Sequence, residues 1–313
     1  MAKLLAQRLA RTLAILLGVS ILVFSLDSLI PGDPALVLAG ENASVEDIER
    51  TRELLGLNRP VAERYVAWAA NALRGDFGRS LYSTRSVGEE IGARLPVTLS
   101  LLVLALLIGL AFGIGAGIVA ALNRGKPLDR ALVLLASVGV ALPNFWIGML
   151  FVVAFAIHWR LLPATGYTPF TENPVDWLRH LVLPAVALST GPAAELTRQV
   201  RGSVIDILQR DFVRTAIAKG LPRRMVIGKH VLKNTGVTVA TVTGIQMSVL
   251  LGASVVVEQV FGLPGIGGLI VESVFARDLP IVQGIVLVTT VLILASSLLV
   301  DLSYGYFNPK MKL

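Results

Sequence analysis

Residues 96–122 read PVTLSLLVLALLIGLAFGIGAGIVAAL, running from Pro96 to Leu122 without one Asp, Glu, Lys or Arg. A helix needs about 20 consecutive apolar residues to cross the hydrocarbon of a bilayer, and this run exceeds that length. The strands of an outer-membrane barrel would instead alternate apolar and polar residues over about ten positions, and no such alternation is present. Gly109, Gly113 and Gly117 recur every four residues on one face of the run. A row of small residues at that spacing lets a second helix backbone approach closely. The stretch therefore predicts an all-α protein built of membrane helices packed on one another.

Five further runs flank it: Thr12–Ile30, Ala131–Ile157, Leu181–Val200, Thr235–Val257 and Pro280–Val300. Together they predict a polytopic membrane protein with six transmembrane helices. The first run has the basic start of a signal peptide (Lys3, Arg8, Arg11), but its apolar stretch is long and no small-x-small cleavage site follows. It reads as an uncleaved helix. Pro143 in the third run, and Pro184 and Pro192 in the fourth, remove backbone donors and permit kinks. Composition agrees with a bilayer environment: of 313 residues 54% are hydrophobic and 16% charged, against about 25% charged in soluble proteins. There is no cysteine, which excludes disulfides, thiolate metal sites and cysteine nucleophiles. His158, His180 and His230 are not at ligand spacing and no His-Glu-x-x-His occurs. The residues thus offer no catalytic, cofactor or metal site.

The net charge of +7 reports orientation. Cytoplasmic loops of membrane proteins carry the excess of Lys and Arg. The N-terminal tail is basic, residues 123–130 carry Arg124, Lys126 and Arg130 against Asp129, and the C-terminal tail has Lys310 and Lys312. The segment 198–233 holds nine basic and two acidic residues, an excess of seven that equals that of the whole chain. The intervening segments differ: 31–95 has eight basic and ten acidic residues, 158–180 two of each, and 258–279 one basic and three acidic. Both termini are therefore expected in the cytoplasm, with 31–95, 158–180 and 258–279 outside. A positive excess of this kind is an orientation signal and not a nucleic-acid-binding face.

The outer segment 31–95 has room for its own helices. Ser44-Val45-Glu46-Asp47 resembles a capping box, and Gly56 supplies a stop. Pro60 can open a second helix with Val61, Tyr65, Trp68 and Leu73 near one stripe. Two readings stand: amphipathic helices resting on the outer leaflet or the bundle, and a lid or a docking platform for an extracellular partner. Asp27, Glu195 and Asp301 lie at or within predicted spans, where charge is a functional signal. All three sit near span ends, however, and Arg198 follows Glu195 at ion-pairing spacing. An ion-coupled secondary transporter, the alternative reading, would be expected to carry an acid in mid-span.

The richest stretch is Asp211-Phe212-Val213-Arg214-Thr215-Ala216-Ile217-Ala218-Lys219-Gly220. Asp211 can cap a short helix, Gly220 stops it, and Pro222 permits a new start. Val213, Ile217 and Leu221 recur every four residues beside cations. Such a helix suits a groove on a cytosolic protein or an anionic lipid surface; the residues alone leave both open.

This chain resembles the inner-membrane permeases of ATP-binding-cassette importers of the dipeptide, oligopeptide, glutathione and nickel class. The landmarks run almost end to end: Pro31-Gly32-Asp33-Pro34, Gly75-Asp76-Phe77-Gly78-Arg79-Ser80, Leu142-Pro143-Asn144-Phe145, Arg214 to Gly220, Val257-Glu258-Gln259-Val260-Phe261 with Pro264-Gly265, and Leu299-Val300-Asp301-Leu302 with Asn308-Pro309. Arg214-Thr215-Ala216 stands where the general coupling-loop pattern has Glu-Ala-Ala, and Thr235-Gly236-Val237-Thr238 lacks the proline frequent early in the fifth span. The resemblance implies a type I importer permease fold forming a single transmembrane domain over 1–313. It would sit in a bacterial or archaeal inner membrane, with 31–95 extracytoplasmic and 198–233 the cytoplasmic coupling loop. It implies a non-catalytic subunit that forms half of a path for peptides or similar small solutes. The partners would be a second, homologous permease, two cytosolic ATPases that bind the ATP, and an extracytoplasmic substrate-binding protein. Phe212, Arg214, Thr215, Ala216, Ile217, Lys219 and Gly220 would couple to the ATPases. Glu258, Phe261, Pro264 and Gly265 would form an outer loop or gate meeting the delivered substrate or its carrier. No Gly-x4-Gly-Lys-Ser/Thr motif occurs, so the ATP site is expected on another chain.

Overall fold

A computed structural model describes residues 2–29, 34–39, 43–54 and 56–307. Pro31 to Asp33 of the first landmark and Asn308-Pro309 of the last lie outside these. The described residues are almost wholly helical. In order they form α1 (Ala2–Leu29), α2 (Pro34–Ala39), α3 (Val45–Leu54), α4 (Val61–Leu73), α5 (Val87–Leu122), α6 (Pro127–Ala141), α7 (Asn144–Phe151), α8 (Pro174–Leu208), α9 (Asp211–Ala218), α10 (Arg223–Met225), α11 (Leu232–Phe261), α12 (Ile266–Ala276) and α13 (Leu279–Phe307). Wider π-helical turns extend α7 through Val152–His158 and join α10 to α11 through Val226–Val231.

Helices occupy all six predicted places. Among the described residues three are long and apolar enough to cross a membrane, Val87–Leu122, Arg223–Phe261 and Leu279–Ser303, and a fourth span results if the bent pair Pro127–Ala141 and Asn144–His158 is taken as one. The third predicted span is not one rod. Pro127–Ala141 and Asn144–His158 meet at 103°, because Pro143 cannot donate a helical hydrogen bond and pushes Leu142 into an extended conformation (ψ 133°). In α1 the apolar stretch is the shorter Ala10–Leu26. The fourth, α8, stays continuous through Pro184 and Pro192 but carries charges and faces protein more than lipid.

Two compact units are present, one of Pro96–Gly268 with Ile293–Leu313 and one of Ala2–Leu95 with Leu269–Leu292. In the first, α8 is the hub, with a buried face running from Leu181 to Ile207. The glycine row of α5 lies directly on it. A Cβ on Gly113 would come within 2.6 Å of Leu196 Cβ, and one on Gly117 within 2.8 Å of Val200 Cβ, so only glycine permits this approach. Gly139 of α6 meets Ala194, and Gly244 of α11 meets Val300 of α13, with added Cβ atoms at 3.2 and 3.0 Å.

In the second unit the helices expected between residues 31 and 95 form as the sequence predicts. Ser44 Oγ accepts from the Asp47 N–H at 3.1 Å and donates to the Asp47 carboxylate at 2.6 Å. That donated bond holds the Asp47 carboxyl below the usual carboxylate range. Gly56 and Gly75 adopt positive φ at the ends of α3 and α4. Tyr65 and Trp68 of α4 pack on Phe24 of α1 at centroid distances of 5.5 and 5.6 Å, whereas Val61 and Leu73 remain exposed. Only the middle of the predicted stripe is thus in use. Asp278 accepts from Ser80 Oγ and, at 3.2 Å, from the Leu81 N–H, which fixes the turn after Gly75-Asp76-Phe77-Gly78.

Candidate functional site

The cationic segment after α8 folds into α9 as predicted. Arg210, not Asp211, holds the cap position, and it gives no side-chain cap bond. Asp211 already has helical geometry, which a cap residue lacks. It serves the positive helix end by charge alone and meets Arg214 at 3.7 Å on the surface. At the other end the Leu221 N–H donates to Ala216 O at 3.3 Å and the Gly220 N–H to Ile217 O at 2.9 Å, with Gly220 at φ +76°. This is a Schellman stop, and its left-handed residue is the one for which glycine is suited.

One face of α9 is seated. Val213 (0% exposed) and Ala216 sink into an apolar cluster with Ala121, Val200, Val204, Val226 and Val231, against which Leu221 also packs. The predicted stripe is divided: Val213 and Leu221 are taken by the chain's own core, and Ile217, 56% exposed, stays outside. On a helix the positions three and four residues ahead of Val213 fall on opposite sides of it, and the seat takes the side of Ala216. Phe212 (42% exposed), Arg214, Thr215, Ile217, Lys219 and Gly220 all face outward. Of the predicted coupling residues only Ala216 is buried. The outward face mixes two apolar side chains with two cations, a chemistry suited to an apolar groove with an acidic rim.

Beside this seat, Arg201 of α8 donates from Nε and Nη2 to the two carboxylate oxygens of Asp129 at 2.6 and 2.8 Å. Asp129 also accepts from the Gly125 N–H at 2.9 Å. The pair fixes the start of α6 on α8, and bidentate geometry makes it directional. Nothing in the local sequence pattern marks the two as partners.

The second predicted site, the turn after α11, is built the opposite way. Gly262 takes the left-handed conformation (φ +57°) and the Leu263 N–H donates to Glu258 O at 2.9 Å. The Glu258 side chain is fully buried (0% exposed). Its carboxylate accepts from Thr98 Oγ1 at 2.7 Å and from the N–H groups of Gly267 and Gly268 at 2.7 and 3.3 Å. The Ile266 N–H in turn donates to Thr98 Oγ1 at 2.9 Å. A carboxylate thus sits on the positive end of α12. A Cβ on Gly265 would lie 2.3 Å from Glu258 Oε2, and one on Gly267 2.6 Å from Val255 Cα. The predicted outer-loop residues divide by burial: Glu258, Phe261 and Gly265 are interior, and Pro264 is the exposed member. A buried charge needs several donors, and the turn is folded around supplying them. Thr98, which completes the knot, lies 160 positions away from Glu258 and belongs to no motif legible in the sequence.

Two family models match the chain: the binding-protein-dependent transport system inner membrane component over residues 113–313, and the N-terminal portion of such a membrane component over residues 1–102. A protein of Brucella abortus (strain 2308) named as a peptide transport system permease is 40% identical over 100% of this chain and 99% of its own length. The dipeptide transport system permease protein DppB of Escherichia coli (strain K12) is 35% identical over 100% of this chain and 99% of its own. Among solved structures, an inward-facing form of the MetNI methionine ABC transporter superposes with a TM-score of 0.56 at 15% identity, covering 70% of this chain and 96% of the other.

Proposed function

The chain belongs to the binding-protein-dependent transport system inner membrane component family and is a permease subunit of an ATP-binding-cassette importer; we propose that it carries short peptides and is driven through α9. Its apolar helices, with its family, fit a multi-pass protein of the inner membrane. Similarity over the full length to permeases named for peptide and dipeptide transport supports the choice of cargo. In this reading the path forms against a second permease, two cytosolic ATPases hold the ATP, and an extracytoplasmic binding protein delivers the peptide. The chain itself performs no bond chemistry. Both termini lie in the cytoplasm, in keeping with the surplus of Lys and Arg in 198–233.

The observation that carries the mechanism is the split of α9. Its motif residues face outward while Val213 and Ala216 are locked into the core shared by α5 and α8. A partner gripping the outer face would therefore move the membrane helices with it, because a packed core transmits displacement instead of absorbing it. The test is uptake of a labelled dipeptide into proteoliposomes holding the assembled transporter, with binding protein outside and ATP inside. Uptake that requires ATP and survives a protonophore is expected. Uptake that continues without ATP and collapses with the ion gradient would replace this reading with an ion-coupled one. Because the chain has no cysteine, a Lys219→Cys variant reports orientation directly: an impermeant maleimide should label it from the cytoplasmic side only.

A further inference from the structure

The second unit contains a cavity of about 620 Å³ in the outer segment, bounded by α1, α4, the turn Phe77–Leu81 and the start of α13. Sites for small molecules typically occupy roughly 300–1,000 Å³, with a mostly apolar lining and a few placed polar groups. Here Phe24, Trp68 and Phe77 supply apolar lining, and Arg59, Glu63 and Arg79 bring charges of both signs to the same space. Arg64, also on the wall, is held over the Phe24 ring at 5.8 Å. Among the described residues Arg59, Glu63 and Arg79 have no oppositely charged side chain within ion-pair distance. The aromatic lining is fixed by the Phe24–Tyr65–Trp68 cluster, so the cavity is pre-formed by packing.

We propose that this cavity is a recognition site of the permease itself for short zwitterionic peptides. The guanidinium groups of Arg59 and Arg79 would take the terminal carboxylate, Glu63 the terminal ammonium, and the aromatic lining one apolar side chain. Planar guanidinium groups match a carboxylate in two-pronged geometry. One acid among arginines also distinguishes a zwitterion from a simple anion. The proposal rests on the peptide-importer reading and adds to it a step in which the permease holds cargo on its outer side.

The experiment measures equilibrium binding of radiolabelled Ala-Phe to the assembled transporter in phosphatidylcholine nanodiscs, without binding protein. Three ligands are compared: the free dipeptide, its C-terminal amide and its N-acetyl form. Saturable binding of the free dipeptide is expected, weakened about tenfold in each blocked form, since each loses a charge-assisted contact. Arg79→Gln should erase the preference for acid over amide, and Glu63→Gln the preference for free amine over acetyl. Both side chains are exposed, so neither change threatens folding. Absence of saturable binding, or binding unchanged by both substitutions, overturns the proposal. So does displacement of the peptide by phosphatidylglycerol in place of phosphatidylcholine, which would make the cavity an anionic-lipid site. ATP-driven uptake by the same purified transporter reconstituted in proteoliposomes, with binding protein restored, tells a failed cavity from a failed peptide-importer reading.

Discussion

Two short turns, at 210–221 and at 258–268, carry dense sequence motifs, and they spend them in opposite ways. Around α9, Arg214, Thr215 and Lys219 stand in solvent and a single apolar face is seated. Around Glu258, the acid, the aromatic and Gly265, Gly267 and Gly268 turn inward, and Gly262 and Pro264 stay out. A motif built for a partner needs its polar residues free, and a motif built for architecture needs them satisfied. Burial separates the two cases where residue type does not: an Arg and a Glu in a turn look equally functional until their hydrogen-bond partners are known.

The sharpest way to break this contrast is Glu258→Ala. It strips the acceptor from Thr98 and from two buried N–H groups at the head of α12, and it opens a void. Unsatisfied buried donors and cavities each cost kcal-scale stability, so a loss of about 3 kcal/mol is expected as a lowered melting temperature in detergent. Glu258→Gln keeps one acceptor oxygen and should recover part of the loss. If Glu258→Ala melted like the parent, the turn would not be held by its carboxylate.

Next in size is Val213→Ser, which places a hydroxyl where α9 meets Val204 and Val226. Lost burial and a polar atom without a partner predict about 2 kcal/mol. Transport should fall in step with stability if the seat passes motion inward as proposed. A variant that kept full uptake while its melting point dropped would separate the seat from the lever.

Gly220→Ala should be milder. An added Cβ meets nothing within 4 Å, so the penalty is the left-handed backbone alone, about 1 kcal/mol. Denaturant unfolding would register it. A larger loss would point to a neighbour packed against Gly220 only in the assembled transporter.

How far the sequence reaches follows from the same contrast. Periodic signals survive folding: the Gly109-Gly113-Gly117 row lies on α8, and Tyr65 and Trp68 lie on α1. Local punctuation survives too, at Gly56, Gly75 and Gly220. Pairings between distant segments leave no local trace. Thr98 with Glu258 and Asp129 with Arg201 join positions 160 and 72 apart, and nothing in either neighbourhood selects the other. The same gap explains why the stripe of Val213, Ile217 and Leu221 is divided between core and surface. A four-residue repeat fixes a helix face but not which edge of it the core will choose. It explains α8 as well, since a helix covered by other helices tolerates charges and prolines that a hydropathy count reads against it.

Arg214→Glu combined with Lys219→Glu should be nearly silent in folding. Both side chains stand in solvent, and the ion pair of Arg214 with Asp211 spans 3.7 Å between groups 72% and 97% exposed, a pair contributing well under about 1 kcal/mol. The melting temperature should stay within about 1 °C of the parent, as expected for exposed sites. Uptake and co-purification of the ATPase should nevertheless be lost, because two reversed charges would face the acidic rim that the cationic surface of α9 implies. A compensating reversal of acids on the ATPase should restore both, which no account based on damage to the fold would predict. If the double variant instead melted early, α9 would belong with the Glu258 turn as architecture, and the division between the two turns would collapse.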